Sequence, residues 1–236
     1  MSLNLEVNNL NKMRYRLYRE HKYIFFIFSE ILQLESRLDL SAKGSIAKLK
    51  DELEKLSTLL QSHAEYEESR IHLILKNKNS PLFHEAEKQH QDQKLHLEMI
   101  DKKINLIEHT SKINEIHFMG YEIYLDLRNF FCENLKHFDY EERVIMPELQ
   151  RLLNDDEIQE IDRISYRQMS PEQMVHMMEV LFPHMNSDDR FVFLDEIKSS
   201  EPEKFELAWS GILPMIDENE KNNLKRLLGM DRTLYA

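Results

Sequence analysis

Apolar residues recur every three to four positions along most of the chain, with polar residues between them, the spacing of helices that bury one face. From about Asn8 to Leu38 the pattern passes through Leu17, Ile24, Phe28, Ile31, Leu34 and Leu38 without Pro or Gly, which predicts a first long helix. Asp39 to Gly44 reads as a turn, with Ser41 or Ser45 as the next N-cap. A second helix is expected to about Leu75, on Leu49, Leu53, Leu56, Leu59 and Leu60. Asn77 to Pro81 breaks the pattern, and Ser80 before Pro81 is a capped helix start. The third helix runs to about Thr110 and a fourth from about His117 to Leu153, where Pro147 must kink it or end its regular part. Four long helices on short connections predict an up-down-up-down four-helix bundle over residues 1–153.

After Asn154 the elements shorten. Asp155 starts a helix to about Arg167, and Ser170-Pro171-Glu172-Gln173 is a capping-box start for another. Pro183 stops that one, Asn186 can cap a third, and Pro202 and Pro214 punctuate two more before Gly229. Residues 154–236 therefore read as a C-terminal helical extension. In it, Met174, Met177, Met178 and Met185 form a core stripe, with an adaptable partner surface as the alternative.

Composition narrows the class. Only 4 Gly and 6 Pro in 236 residues fit an all-α chain. A formal net charge of −12 leaves no basic excess for phosphates, so no nucleic-acid partner is expected. The lone cysteine, Cys132, excludes an internal disulfide framework and a thiolate metal site, and reads as a buried apolar filler. The apolar run Tyr23–Phe28 is too short to span a bilayer and the N-terminus lacks a signal peptide's apolar core, so a soluble cytoplasmic protein without a membrane partner is expected.

The chemistry lies in a repeated pattern. His63 leads Glu67 by four residues, and His137 leads Glu141 by four, each followed by a second Glu. On a helix such pairs stand one turn apart on one face. At about 1.5 Å rise per residue, His21 and His63 both lie about 30 Å from the first turn, His90 and His137 are equally far from the third, and His63 and His90 agree to about 10 Å. One histidine per helix at a common level is thus allowed. Imidazole nitrogens suit iron, zinc, copper and manganese, and carboxylates can bridge two such ions. Glu87-Lys88-Gln89-His90 is also a Glu-x-x-His, but no second copy accompanies it.

At these residues the chain resembles the hemerythrin-like (HHE cation-binding) family. His63-Ala64-Glu65-Tyr66-Glu67 and the stretch from His137 to Pro147 look like its second- and fourth-helix motifs, Lys88-Gln89-His90-Gln91 like its third-helix segment, and His21 stands where the first-helix histidine belongs. The resemblance covers about residues 10–153, and Ser170–Gln173 with Leu181-Phe182-Pro183 is similar to a tail found in some members. It implies a bundle holding two iron ions joined by an oxo or hydroxo bridge: His21 and His63 on one, His90 and His137 on the other, Glu67 and Glu141 between them. Manganese or zinc stay open, since the same ligands suit them. The oxygen-carrying hemerythrins have a His-x-x-x-His on the third helix, whereas Lys94 stands four after His90 here. One ion thus lacks a ligand, and Glu87, three before His90, is the substitute by position. The missing histidine favours a protein that binds or reacts with O2, NO or peroxide. The alternative is an iron-dependent sensor or scaffold whose extension contacts a protein partner without turnover.

Overall fold

The computed structural model describes residues 18–42 and 44–230. It is 86% helical with no strand among the described residues, so the chain is all-α. The helices are α1 (Glu20–Glu35), α2 (Ser45–Glu67), α3 (Leu73–Asn77), α4 (Leu82–Glu108), α5 (Ile113–Tyr140) and α6 (Met146–Leu152), then α7 (Asp155–Gln168), α8 (Pro171–Leu181), α9 (Ser187–Ser200), α10 (Pro202–Ile212) and α11 (Glu218–Leu227). Two π-turns interrupt this order, Glu68–His72 between α2 and α3 and Glu141–Ile145 between α5 and α6. The expected first-helix start near Asn8 and its Leu17 lie outside the described residues.

The second π-turn has a local cause. Pro147 lacks the N–H that Arg143 would accept four residues back, so the backbone loosens just before it. The first has no proline nearby, and its register change must be held by side chains.

The described chain divides into two compact units, residues 24–145 and residues 18–23 with 146–230. The first is built on α1, α2, α4 and α5. Its core joins Ile24, Phe28 and Ile31 of α1 to Leu49, Leu53 and Leu56 of α2, Ile100 and Ile104 of α4, and Ile123, Leu127, Phe130 and Phe131 of α5. Phe28 stacks on Phe131 at 4.4 Å between ring centroids. Each such buried ring contributes about 1.5–3 kcal/mol of transfer free energy before chain entropy is counted. Cys132 departs from its expected burial: the next residue of α5 after Phe131, it faces outward and is exposed.

The other unit has its own core around Met174, Met178, Phe182, Phe193, Phe205 and Trp209, so the methionines fill an ordinary interior. Its helices start on strong local signals. Asn154 and Ser170 make full capping boxes with Glu157 and Gln173, and Asn186 and Asp217 cap α9 and α11. Arg19 is buried here, its Nη2 donating to Asp162 at 3.1 Å, Glu196 at 2.9 Å and the Tyr166 hydroxyl at 2.9 Å. Burial opposes its charge, but Tyr166, Glu196 and Asp162 outweigh that and hold the guanidinium ionised. No helix of the described residues is long and apolar enough to cross a membrane.

Candidate metal centre

Five of the sequence-selected ligands come together in the 24–145 unit. α2 supplies His63 and Glu67, α4 supplies His90, α5 supplies His137, and Glu141 opens the second π-turn. All five are buried, the two glutamates to 1% exposure each. Charged groups so deep require polar or cationic partners. His63 Nε2 lies 3.5 Å from Glu67 Oε1, His90 Nε2 3.2 Å from Glu67 Oε2, and His137 Nε2 3.1 Å from Glu141 Oε1. His90 Nε2 and His137 Nε2 are themselves 3.1 Å apart, so α4 and α5 present their histidines at one level.

The structure adds a candidate ligand, His72, that the four-residue spacing does not pick out. His72 is 1% exposed, and ligand atoms of Glu67, His72, His90 and Glu141 all lie within 4.8 Å of one another. Five residues separate Glu67 from His72, which on a regular α-helix would put the two about 140° apart. The π-turn at Glu68–His72 lengthens that turn to bonds of the i to i+5 kind, and five residues then nearly close it. His63, Glu67 and His72 consequently share a face. Atoms of His63, Glu67 and Glu141 also fall within 4.8 Å of each other. Glu67 and Glu141 thus belong to two ligand groups at once.

The outer nitrogens of the rings are held in a consistent way. His90 Nδ1 meets Glu68 Oε1 at 3.1 Å, His72 Nδ1 meets Glu87 Oε1 at 3.2 Å, and His137 Nδ1 meets Gln89 Oε1 at 2.9 Å. Each partner is an acceptor, so each Nδ1 donates its hydrogen and a neutral ring keeps its lone pair on Nε2, pointing inward. With both rings neutral, two such lone pairs face each other across the His90–His137 contact, and His72 Nε2 is buried without a hydrogen-bond partner. A cation among these atoms resolves both problems. Atom separations near 3 Å suit ligands on one ion at bond lengths of about 2.0–2.2 Å. The outer carboxylates and amide are the usual orienting shell of metal-bound histidines. The residues present therefore fit a metal ion.

Electrostatics follow the same layout. Burial, then the neighbouring His90, hold the His72 imidazolium below its ordinary range. Burial also works against charging His90, but the Glu67 hydrogen bond and the charges of Glu67 and Glu141 outweigh it and raise that ring's pKa. A cavity of about 990 Å³ between α2, α4 and α5 reaches His63, His90 and His137.

The remaining assignments are placed as follows. Glu87 stands outside the cluster with 46% of its side chain exposed, orienting His72. His96 turns away to Glu133 at 2.7 Å. His21 belongs to the other unit, buried in the first turn of α1 with its ring 5.0 Å from that of Tyr18. No protein-family model, curated protein or solved structure matches the chain.

Proposed function

We propose that this is a hemerythrin-like four-helix bundle with a helical extension, a non-haem di-iron protein that binds or reacts with O2, NO or peroxide. The observation that carries the reading is the membership of Glu67 and Glu141 in two ligand groups, as expected of carboxylates that bridge two ions. Glu67 and Glu141 would hold both irons. His72, His90 and His137 would hold one of them, with His72 taking the place of the missing third-helix histidine. His63 would hold the other. An ion held by fewer histidines would keep room for a small ligand, and the cavity that reaches His63, His90 and His137 would admit it. Bound iron supplies redox and Lewis-acid chemistry. The chain's part is to exclude water with Phe138 and its neighbours and to keep each Nδ1 hydrogen on Glu68, Glu87 or Gln89.

The test is the metal content of the purified chain, with optical spectra before and after reduction and exposure to air. About two irons per chain are expected, with near-ultraviolet absorption that fades on reduction. No stoichiometric metal after anaerobic iron loading would sink the reading. Metal binding without any response to O2, NO or peroxide would leave a sensor or scaffold instead.

His72 gives a sharper check. His72→Ala should lower iron content by about one ion per chain and weaken what remains by at least about tenfold. Full retention of both ions would remove His72 from the ligand set.

A further inference from the structure

We propose that a second cavity in the 24–145 unit, beneath the turn that follows α1, binds an organic ammonium ion through Glu35. This cleft, of about 490 Å³ and open to solvent, lies between the end of α1, residues 36–40 and the start of α5. Glu35 lines it, is 7% exposed, and has a fully buried Oε2 with no hydrogen-bond partner. Among the described residues no cationic side chain pairs with it. A carboxyl group left like this is costly unless a donor or cation meets it.

The rest of the lining narrows the ligand. Leu38, Leu40 and Ile116 are apolar, and the rings of Tyr121 and Tyr124 stand 6.4 Å apart in the wall. A carboxylate with aromatic faces is the setting that favours an ammonium group on an apolar arm. An anion is disfavoured, because no Lys or Arg lines the cavity. A metal ion is disfavoured as well. Glu35, Asp39 and His117 are not among the residue groups whose ligand atoms converge, and Asp39 already accepts from the Ser41 N–H at 2.9 Å. The site is separate from the metal centre: His117 and His137 lie on α5, 20 residues or about 30 Å apart.

Burial alone pushes the Glu35 carboxyl up to about 7. The other titratable groups facing the cavity are Asp39, His117, Tyr121 and Tyr124. Raising the pH from 6 to 8 takes the carboxyl from about one-tenth to about nine-tenths ionised, so binding should tighten about tenfold.

The experiment is calorimetric titration of the full chain with phenethylammonium, with phenethyl alcohol as the uncharged control. One saturable site is expected at pH 8, about tenfold weaker at pH 6 and absent with the alcohol. Glu35→Gln, which keeps the shape and removes the buried charge, should abolish it. Tyr121→Ala, at a ring 60% exposed and so safe for folding, should weaken it about two- to fivefold. No saturable binding at pH 8, equal binding of the alcohol, or undiminished binding by the folded Glu35→Gln chain would each overturn the proposal.

Discussion

Glu67→Ala should empty both metal positions, and Glu141→Ala should do the same. Each carboxylate belongs to two ligand groups, whereas His63 and His72 belong to one group apiece. In the proposed two-iron centre, loss of a terminal histidine would remove one bond from one ion, whereas loss of a shared carboxylate would remove a bond from each ion and the charge that compensates both. Outer-partner substitutions commonly cost about 10–100-fold in metal affinity, so loss of a shared ligand should cost at least about 100-fold at both positions. Metal analysis after dialysis reads this directly: near-zero iron for the two glutamate variants, and about one ion retained for His63→Ala. Full metal retention by either glutamate variant would show that the shared carboxylates are only helix-packing residues.

Arg19→Met should destabilise the unit formed by residues 18–23 and 146–230 by about 3–5 kcal/mol. The guanidinium lies between Asp162 and Glu196, with 6% of its side chain exposed. Without it, Asp162 and Glu196 share a buried space beside the Tyr166 hydroxyl and lose the guanidinium that both of them meet. A loss of that size is a large part of the roughly 5–15 kcal/mol that keeps a domain folded. Replacing all three charges, as Arg19→Met with Asp162→Leu and Glu196→Leu, should recover most of it, because the cost lies in the uncompensated charge. Denaturant unfolding of the single and triple variants distinguishes these outcomes. A single variant within about 0.5 kcal/mol of the parent would mean the network contributes nothing net.

Much of this arrangement was readable in the residues. Helix after helix starts or stops where Ser80-Pro81, Ser170-Pro171, Asn186 and Pro202 place the signal, because capping and proline effects act within one turn of chain. The pairs His63–Glu67 and His137–Glu141 were legible for the same reason: four residues on a helix fix a shared face. His72 was not, since its place depends on a π-turn that no proline announces. A histidine five residues after a selected glutamate becomes a signal only once an altered turn is allowed. Position on its own helix points to Glu87 as the missing ligand, but its carboxylate reaches across to the outer nitrogen of His72. Composition does not show that Cys132 is exposed, because burial on α5 is decided residue by residue: Phe131 faces the core and its neighbour, one position on, does not. Long-range charge placement, as around Arg19, leaves no periodic trace in a sequence at all.

The π-turn at Glu68–His72 also bears on how this chain can change in length. A helical rod ordinarily tolerates an added or missing residue near its ends, where a loop takes up the difference. Between Glu67 and His72 that freedom is gone, because one residue more or fewer would swing everything after it by about 100°. The segment can therefore accept many substitutions on its outer face but no insertion or deletion, and its residue count is as much a part of the site as its histidines.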